Sequence, residues 1–163
     1  MTAPSRPEPR DRPHDGNLGL VDLLGIRFLD VAPGRVRIEL TVEPRHLRDL
    51  GIMHGGVLAT LLDTVMGTAV SAQAPSGHFV VTVQLNVNFI RPAWQGETLV
   101  ATGEVTHSGR QTAVARGEVR TSQDVLVGSG SGTFMYIVHT DSGQQRFARE
   151  VDEPGVPVGP GLA

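Results

Sequence analysis

The chain has 163 residues, enough for one domain with its own core but hardly for two. It contains no cysteine and no lysine, so all 14 basic residues are arginines, which removes disulfides, thiolate metal sites, cysteine nucleophiles and lysine Schiff bases. A formal charge of -3 and a pI near 6.0 offer no bulk attraction to nucleic acid or an anionic membrane, while leaving open a local arginine site for a phosphorylated ligand.

Residues 1–15 are rich in arginine, acids and proline and lack an apolar run, so they read as a disordered N-terminal tail without a secretory signal, and the protein as cytoplasmic. The folded domain spans 16–138. Asn17 to Leu24 predicts a short helix. Ile26 to Asp30 and Arg35 to Val42 predict a hairpin around Ala32-Pro33-Gly34, in which Val36, Ile38, Leu40 and Val42 alternate with Arg37, Glu39 and Thr41 and bury one face. Gly56 to Ala74 predicts one long helix, stopped by Pro75-Ser76-Gly77. Four strands follow, at Phe79 to Ile90, Thr98 to His107, Thr112 to Thr121 and Val125 to Ile137. The turns at Gly109-Arg110 and Ser122-Gln123-Asp124 are short enough for antiparallel neighbours. Residues 139–163 read as a flexible C-terminal tail. Strands, one helix and a meander of strands make an α+β layout in which an antiparallel sheet wraps one helix.

The most informative stretch is Gly51 to Ile90. In these forty residues Asp63 is the only formally charged side chain. On the helical wheel Leu58, Leu61, Leu62, Val65, Ala69 and Ala72 form one apolar face, with Val57, Ala59, Met66 and Val70 on its flanks, as in a helix buried nearly all round. Thr60, Asp63, Thr64 and Gly67 interrupt the run and argue against a membrane span. Asp63 lies about 140° from the apolar face, with no neutralising partner among its helical neighbours, so its face is expected to meet a second subunit. Isolation alone leaves a capping carboxylate and a catalytic one equally open. Ahead of it, Gly55-Gly56 opens the helix, and the free N–H groups of a first turn suit a developing oxyanion.

His54-Gly55-Gly56 followed by Asp63 and Gly67 resembles the HGG-x(6)-D signature of the hotdog-fold thioesterases of the phenylacetic-acid-degradation (PaaI-like) type. The similarity continues through Val83 to Ala93 and into Gly96, Gly103, His107 to Arg110 and Leu126 to Gly130, covering residues 16–137. The resemblance implies a hotdog fold with five or six strands, a homodimer with sites at the subunit interface and two dimers forming a homotetramer. It also implies hydrolysis of an aryl- or medium-chain acyl-CoA without cofactor or metal. Carried over residue by residue, Asp63 is the nucleophile or the general base. The Gly55 N–H, helped by Gly56, polarises the thioester carbonyl, and Thr82 from the opposing subunit helps hold the attacking water.

Arg48 departs from the family pattern, which has Asn or Gln six residues before the HGG histidine. Its permanent charge alters the field around the carboxylate. Either it points to solvent while His46 or a backbone group substitutes, or activity is shifted. Without lysine, the CoA phosphates fall to Arg91 and Arg110. His54 orders the loop and borders the substrate, and Met66 is a candidate lining residue with Met53, Val70 and Phe79. Two other readings share the fold: a non-catalytic acyl-CoA-binding module, and an enoyl-CoA hydratase suggested by the D-x(4)-H spacing of Asp49 and His54. No helix-turn-helix segment supports DNA binding.

Overall fold

The computed structural model describes residues 19–139 and 145–147. A one-turn helix α1 (Leu20–Leu24) leads into a hairpin of β1 (Arg27–Ala32) and β2 (Arg35–Thr41). Two 3-10 turns, Pro44–His46 and Asp49–Gly51, precede the long helix α2 (Gly55–Ser71). Strands β3 (His78–Phe89), β4 (Thr98–Ser108), β5 (Thr112–Thr121) and β6 (Leu126–His139) follow, with a three-residue β7 (Gln145–Phe147). The expected disordered N-terminal tail lies outside the described residues, as does the C-terminal tail apart from His139, which ends β6, and β7, which pairs with β6.

All pairings are antiparallel and the strand order is β1-β2-β4-β5-β6-β3. This is the α+β hotdog arrangement, one sheet curled about one helix. Burial follows the predicted alternation: Val36, Ile38 and Leu40 face α2, while Arg35, Arg37 and Thr41 face water. From α2 the core receives Val57, Leu58, Leu61, Leu62, Val65, Met66, Ala69 and Val70.

The helix lies unusually close to the strands because the sheet is stripped of side chains beneath it. Gly103, Gly117 and Gly130 are register partners on β4, β5 and β6 and form a row across three strands. A Cβ on Gly103 would stand 2.6 Å from the Val65 carbonyl oxygen, and one on Gly117 would stand 3.0 Å from Leu62. The backbone of α2 and its leucines occupy that space.

Met66 corrects an expectation. It is fully buried, with its sulfur against Gly117 on the sheet side of α2, and is a core residue rather than a pocket wall. Val70 is also fully buried. The opposite face, carrying Ala59, Thr60, Asp63, Thr64, Gly67 and Thr68, stays half-exposed within one chain.

β3 is the other feature of consequence. Among the described residues it is a twelve-residue edge strand paired on one side with β6, and it holds no Asp, Glu or Arg. Phe79, Val81, Val83 and Phe89 are exposed along it. Proteins normally protect such an edge with charge, proline or a covering element.

Candidate active site

Asp63 projects from the middle of α2 towards β3, where the Thr82 hydroxyl donates to Oδ1 at 2.8 Å. The bond fixes the carboxylate rotamer and leaves Oδ2 available. Among the described residues no cation pairs with Asp63. The expectation that Thr82 comes from the opposing subunit is corrected: β3 runs beside α2 within the same chain and brings Thr82 to Asp63 directly.

The start of α2 separates the roles of its two glycines. His54 is the N-cap residue, and its Nδ1 accepts the Gly56 N–H at 2.9 Å. The Val57 N–H bonds to the His54 carbonyl at 3.0 Å. Gly56 therefore has no donor left for an oxyanion, which overturns its expected helper role, and Gly55 keeps the free N–H of the first turn. A Cβ at Gly55 would meet the Phe89 ring at 3.1 Å. Glycine thus brings the backbone close to an exposed aromatic wall.

Beside Gly55 is an open cavity of about 390 Å³, walled by Met53, Leu58, Phe89, Ile90 and Val127, with Arg48 and Arg91 among its lining residues. Met53 lines this space as expected. The Arg48 side chain is about half exposed, with Nε 3.5 Å from Asp49 Oδ1, a weak contact at a loop tip. His46 cannot replace the family's Asn or Gln, because it is buried and both ring nitrogens are engaged, by the Glu43 N–H at 2.9 Å and the Leu24 carbonyl at 3.0 Å. Asp49, the acid a hydratase would use, points to solvent with 78% of its side chain exposed.

Gly55 and Asp63 are eight residues apart on one helix, about 12 Å along the axis at 1.5 Å per residue. One thioester carbonyl cannot touch both within a single chain. Arg91 and Arg110 are also apart. Arg91 follows β3 and bonds through its N–H to the Val127 carbonyl, whereas Arg110 lies in the β4–β5 turn at the other end of the sheet, and both are exposed.

A larger depression of about 510 Å³ lies on the outer face of the sheet and is lined by Arg35, Arg37, Arg116 and Arg120 with Glu104 and Glu118. Arg35 and Arg116 both pair with Glu104, and Arg120 pairs with Glu118. The hydrogen bond from Arg116 holds the Glu104 carboxyl below the ordinary carboxylate range and raises Arg116 above its own. These are surface pairs remote from Asp63. Among the described residues no cluster of three or more His, Asp or Glu could hold a metal ion. None of their helices is long and apolar enough to cross a membrane.

Comparison with known proteins shows the family to which the chain belongs. The family model of the thioesterase superfamily matches residues 50–128. The acyl-coenzyme A thioesterase PaaI of Escherichia coli K12 is 32% identical over 121 residues, 74% of this chain and 84% of that protein. The chain belongs to the thioesterase superfamily. The structure of E. coli PaaI, from the phenylacetic acid degradation operon, matches with a TM-score of 0.71 at 31% identity, covering 76% of this chain and 88% of that one. Human acyl-coenzyme A thioesterase 13 is 35% identical over 88 residues, 54% of this chain and 62% of that protein. A thioesterase protein of Streptococcus pneumoniae TIGR4, solved with coenzyme A, matches with a TM-score of 0.66 at 25% identity, covering 72% and 89%. The resemblance to PaaI-like hotdog thioesterases is therefore borne out in family, fold and reaction type: the protein is a thioester hydrolase. In this thioesterase the matched segment runs from Leu50 through β5 to Gly128 and so contains Gly55, Asp63 and Thr82.

Proposed function

We propose that the protein hydrolyses an aryl- or medium-chain acyl-CoA to the free acid and CoA, at two equivalent sites formed between two copies of the chain. The observation that carries this reading is the Thr82-oriented carboxylate of Asp63, with no cation beside it among the described residues, on the half-exposed face of α2. Superfamily membership supplies the reaction type, and the coenzyme A bound by a relative supports the thiol half of the substrate.

The 12 Å separation on α2 favours a two-fold arrangement. Two antiparallel α2 helices set Gly55 of one copy against Asp63 of the other. The outer edge of β3 over residues 81–89, unpaired among the described residues, supplies the complementary surface, because pairing with a second β3 satisfies its backbone groups and covers Val81 and Val83. The same operation carries Arg110 of one copy towards the Arg91 end of the other, so that the two arginines share the CoA phosphates. Arg48 then stands at the mouth of the site, with His54 ordering its rim. Two such dimers form a homotetramer, and an acyl-CoA substrate suits a cytoplasmic enzyme.

In the reaction the Gly55 N–H donates to the thioester oxygen as negative charge develops there. Asp63 either takes a proton from the attacking water or attacks the carbonyl itself, aided by the Thr82 bond that fixes Oδ1. On the base route the water oxygen joins the acyl carbon, the C–S bond breaks and the proton taken by Asp63 passes to the CoA sulfur. On the nucleophile route an Asp63 oxygen joins the acyl carbon, CoA leaves as a thiolate that takes a proton from water, and water then hydrolyses the mixed anhydride to the free acid and Asp63. The test is CoA release from a panel of aryl- and medium-chain acyl-CoAs. Turnover by the native protein and its loss in Asp63→Asn with substrate binding retained support the reading. Saturable binding without turnover across the panel would make the protein an acyl-CoA-binding module instead.

A further inference from the structure

His46 lies at the meeting point of three segments and is the only polar or charged residue among the described residues to be buried, at 1% exposure. Its Nδ1 accepts the Glu43 N–H at 2.9 Å, which leaves the ring proton on Nε2, and Nε2 donates to the Leu24 carbonyl at the end of α1 at 3.0 Å. Its own carbonyl accepts the His54 N–H at 2.8 Å. Between these residues the chain closes a small hairpin: Leu47 bridges Met53, and the Arg48 N–H bonds to the Ile52 carbonyl at 2.9 Å. The turn is made by Leu50 and Gly51 at φ 66° and 72°; this left-handed backbone is unfavourable for leucine and is maintained by the closed hairpin. His54 then uses its own Nδ1 to hold the Gly56 N–H. A continuous series of hydrogen bonds thus runs from Leu24 through the His46 ring and carbonyl to His54 and the first turn of α2.

We propose that His46 is a positioning residue for thioester hydrolysis: it anchors the hairpin whose end aims the free Gly55 N–H at the substrate carbonyl. The proposal rests on the reading of Gly55 as the oxyanion donor. An apolar residue of similar size would fill the space but leave the Glu43 N–H and the Leu24 carbonyl without partners, freeing the hairpin to shift. A small displacement of an oxyanion donor lowers the chemical step more than it lowers binding.

The test compares native protein with His46→Ala, His46→Asn and His46→Gln, measuring kcat and KM on an acyl-CoA that the native enzyme turns over, together with amide hydrogen exchange at Gly56. Asn keeps an acceptor at the Nδ1 position, whereas Gln keeps a donor near Nε2. The expected result is a kcat about 10- to 100-fold lower in His46→Ala with KM changed less than about threefold. The Asn variant recovers part of that loss. Exchange at Gly56 rises at least about tenfold, while the amides of β5 keep their protection. Native kcat in folded His46→Ala, or a loss explained by the unfolded fraction with Gly56 still protected, overturns the proposal. Should His46→Ala fail to fold, the Asn and Gln variants carry the comparison. If the native protein turns over no CoA thioester, the thioesterase reading fails by itself; Gly56 exchange then decides whether His46 anchors the hairpin, and unchanged protection refutes it.

Discussion

Asp63 combines two properties: it has no cation beside it among the described residues, and one of its oxygens is already occupied by Thr82. Asp63→Asn keeps shape and hydrogen bonding but removes the proposed base or nucleophile. The expected fall in kcat is about 10²- to 10⁴-fold, with acyl-CoA affinity retained, measured by CoA release and by equilibrium binding. Thr82→Ala deletes a hydrogen bond to a charged group and is expected to lower kcat by about 10- to 100-fold. Thr82→Ser keeps the hydroxyl and is expected to recover most of that activity. Glu104 provides a contrast. Its folded-state carboxyl titrates below the unfolded value because of Arg116, so its stabilising contribution is present above the unfolded value and is lost as pH falls through the folded one. Glu104→Gln is therefore expected to lower the melting temperature slightly at neutral pH and not in strong acid, leaving kcat unchanged at both sites.

At the scale of elements, the glycine row beneath α2 sets how closely helix and sheet approach. Gly103→Ala places a methyl against the Val65 carbonyl, where neither backbone can yield cheaply, and costs about 1–3 kcal/mol of stability. Thermal denaturation measures it; an unchanged melting temperature would mean that α2 rides higher above β4. This row also explains what was legible in the sequence and what was not. Alternation located β2 and β3, and the Gly55-Gly56 pair with its downstream breakers bounded α2 to within a few residues, because those signals are local. Asp63 could be singled out because charge is absent for so long on either side of it. The burial of Met66 is not legible in the sequence, because a wheel gives the period of a helix but not which flank the sheet will cover; Gly117, fifty-one residues later, decides that. The division between Gly55 and Gly56 depends on a single histidine rotamer. The contact of Thr82 with Asp63 of its own chain is not legible either, because strand order, not strand pattern, lays β3 alongside Asp63. The roles proposed for Arg48, Arg91 and Arg110 depend on where the proposed second copy docks, which no local pattern encodes.

Among the described residues the molecule presents a long uncharged edge strand and a helix face covered on one side only, and the proposed second copy would cover both. Val83→Lys puts a charge into that edge and is expected to give a folded monomer without turnover, seen by light scattering and circular dichroism. The central claim is that each site takes Gly55 from one chain and Asp63 from the other, and subunit complementation tests it most directly. Gly55→Pro removes the donor N–H while keeping the backbone: proline suits the first helical position, and the preceding His54, at φ -65° and ψ 135°, has the extended backbone that proline requires before it. The exposed Phe89 ring, 3.1 Å from the added Cβ, has to shift by a few tenths of an ångström. Gly55→Pro and Asp63→Asn homodimers are each expected to be inactive. When the two are unfolded, mixed in equal amounts and refolded together, random pairing makes half of the dimers mixed, and each mixed dimer has one intact site, so about a quarter of native activity should return. Mixed dimers that form yet remain inactive would contradict a site shared between two chains.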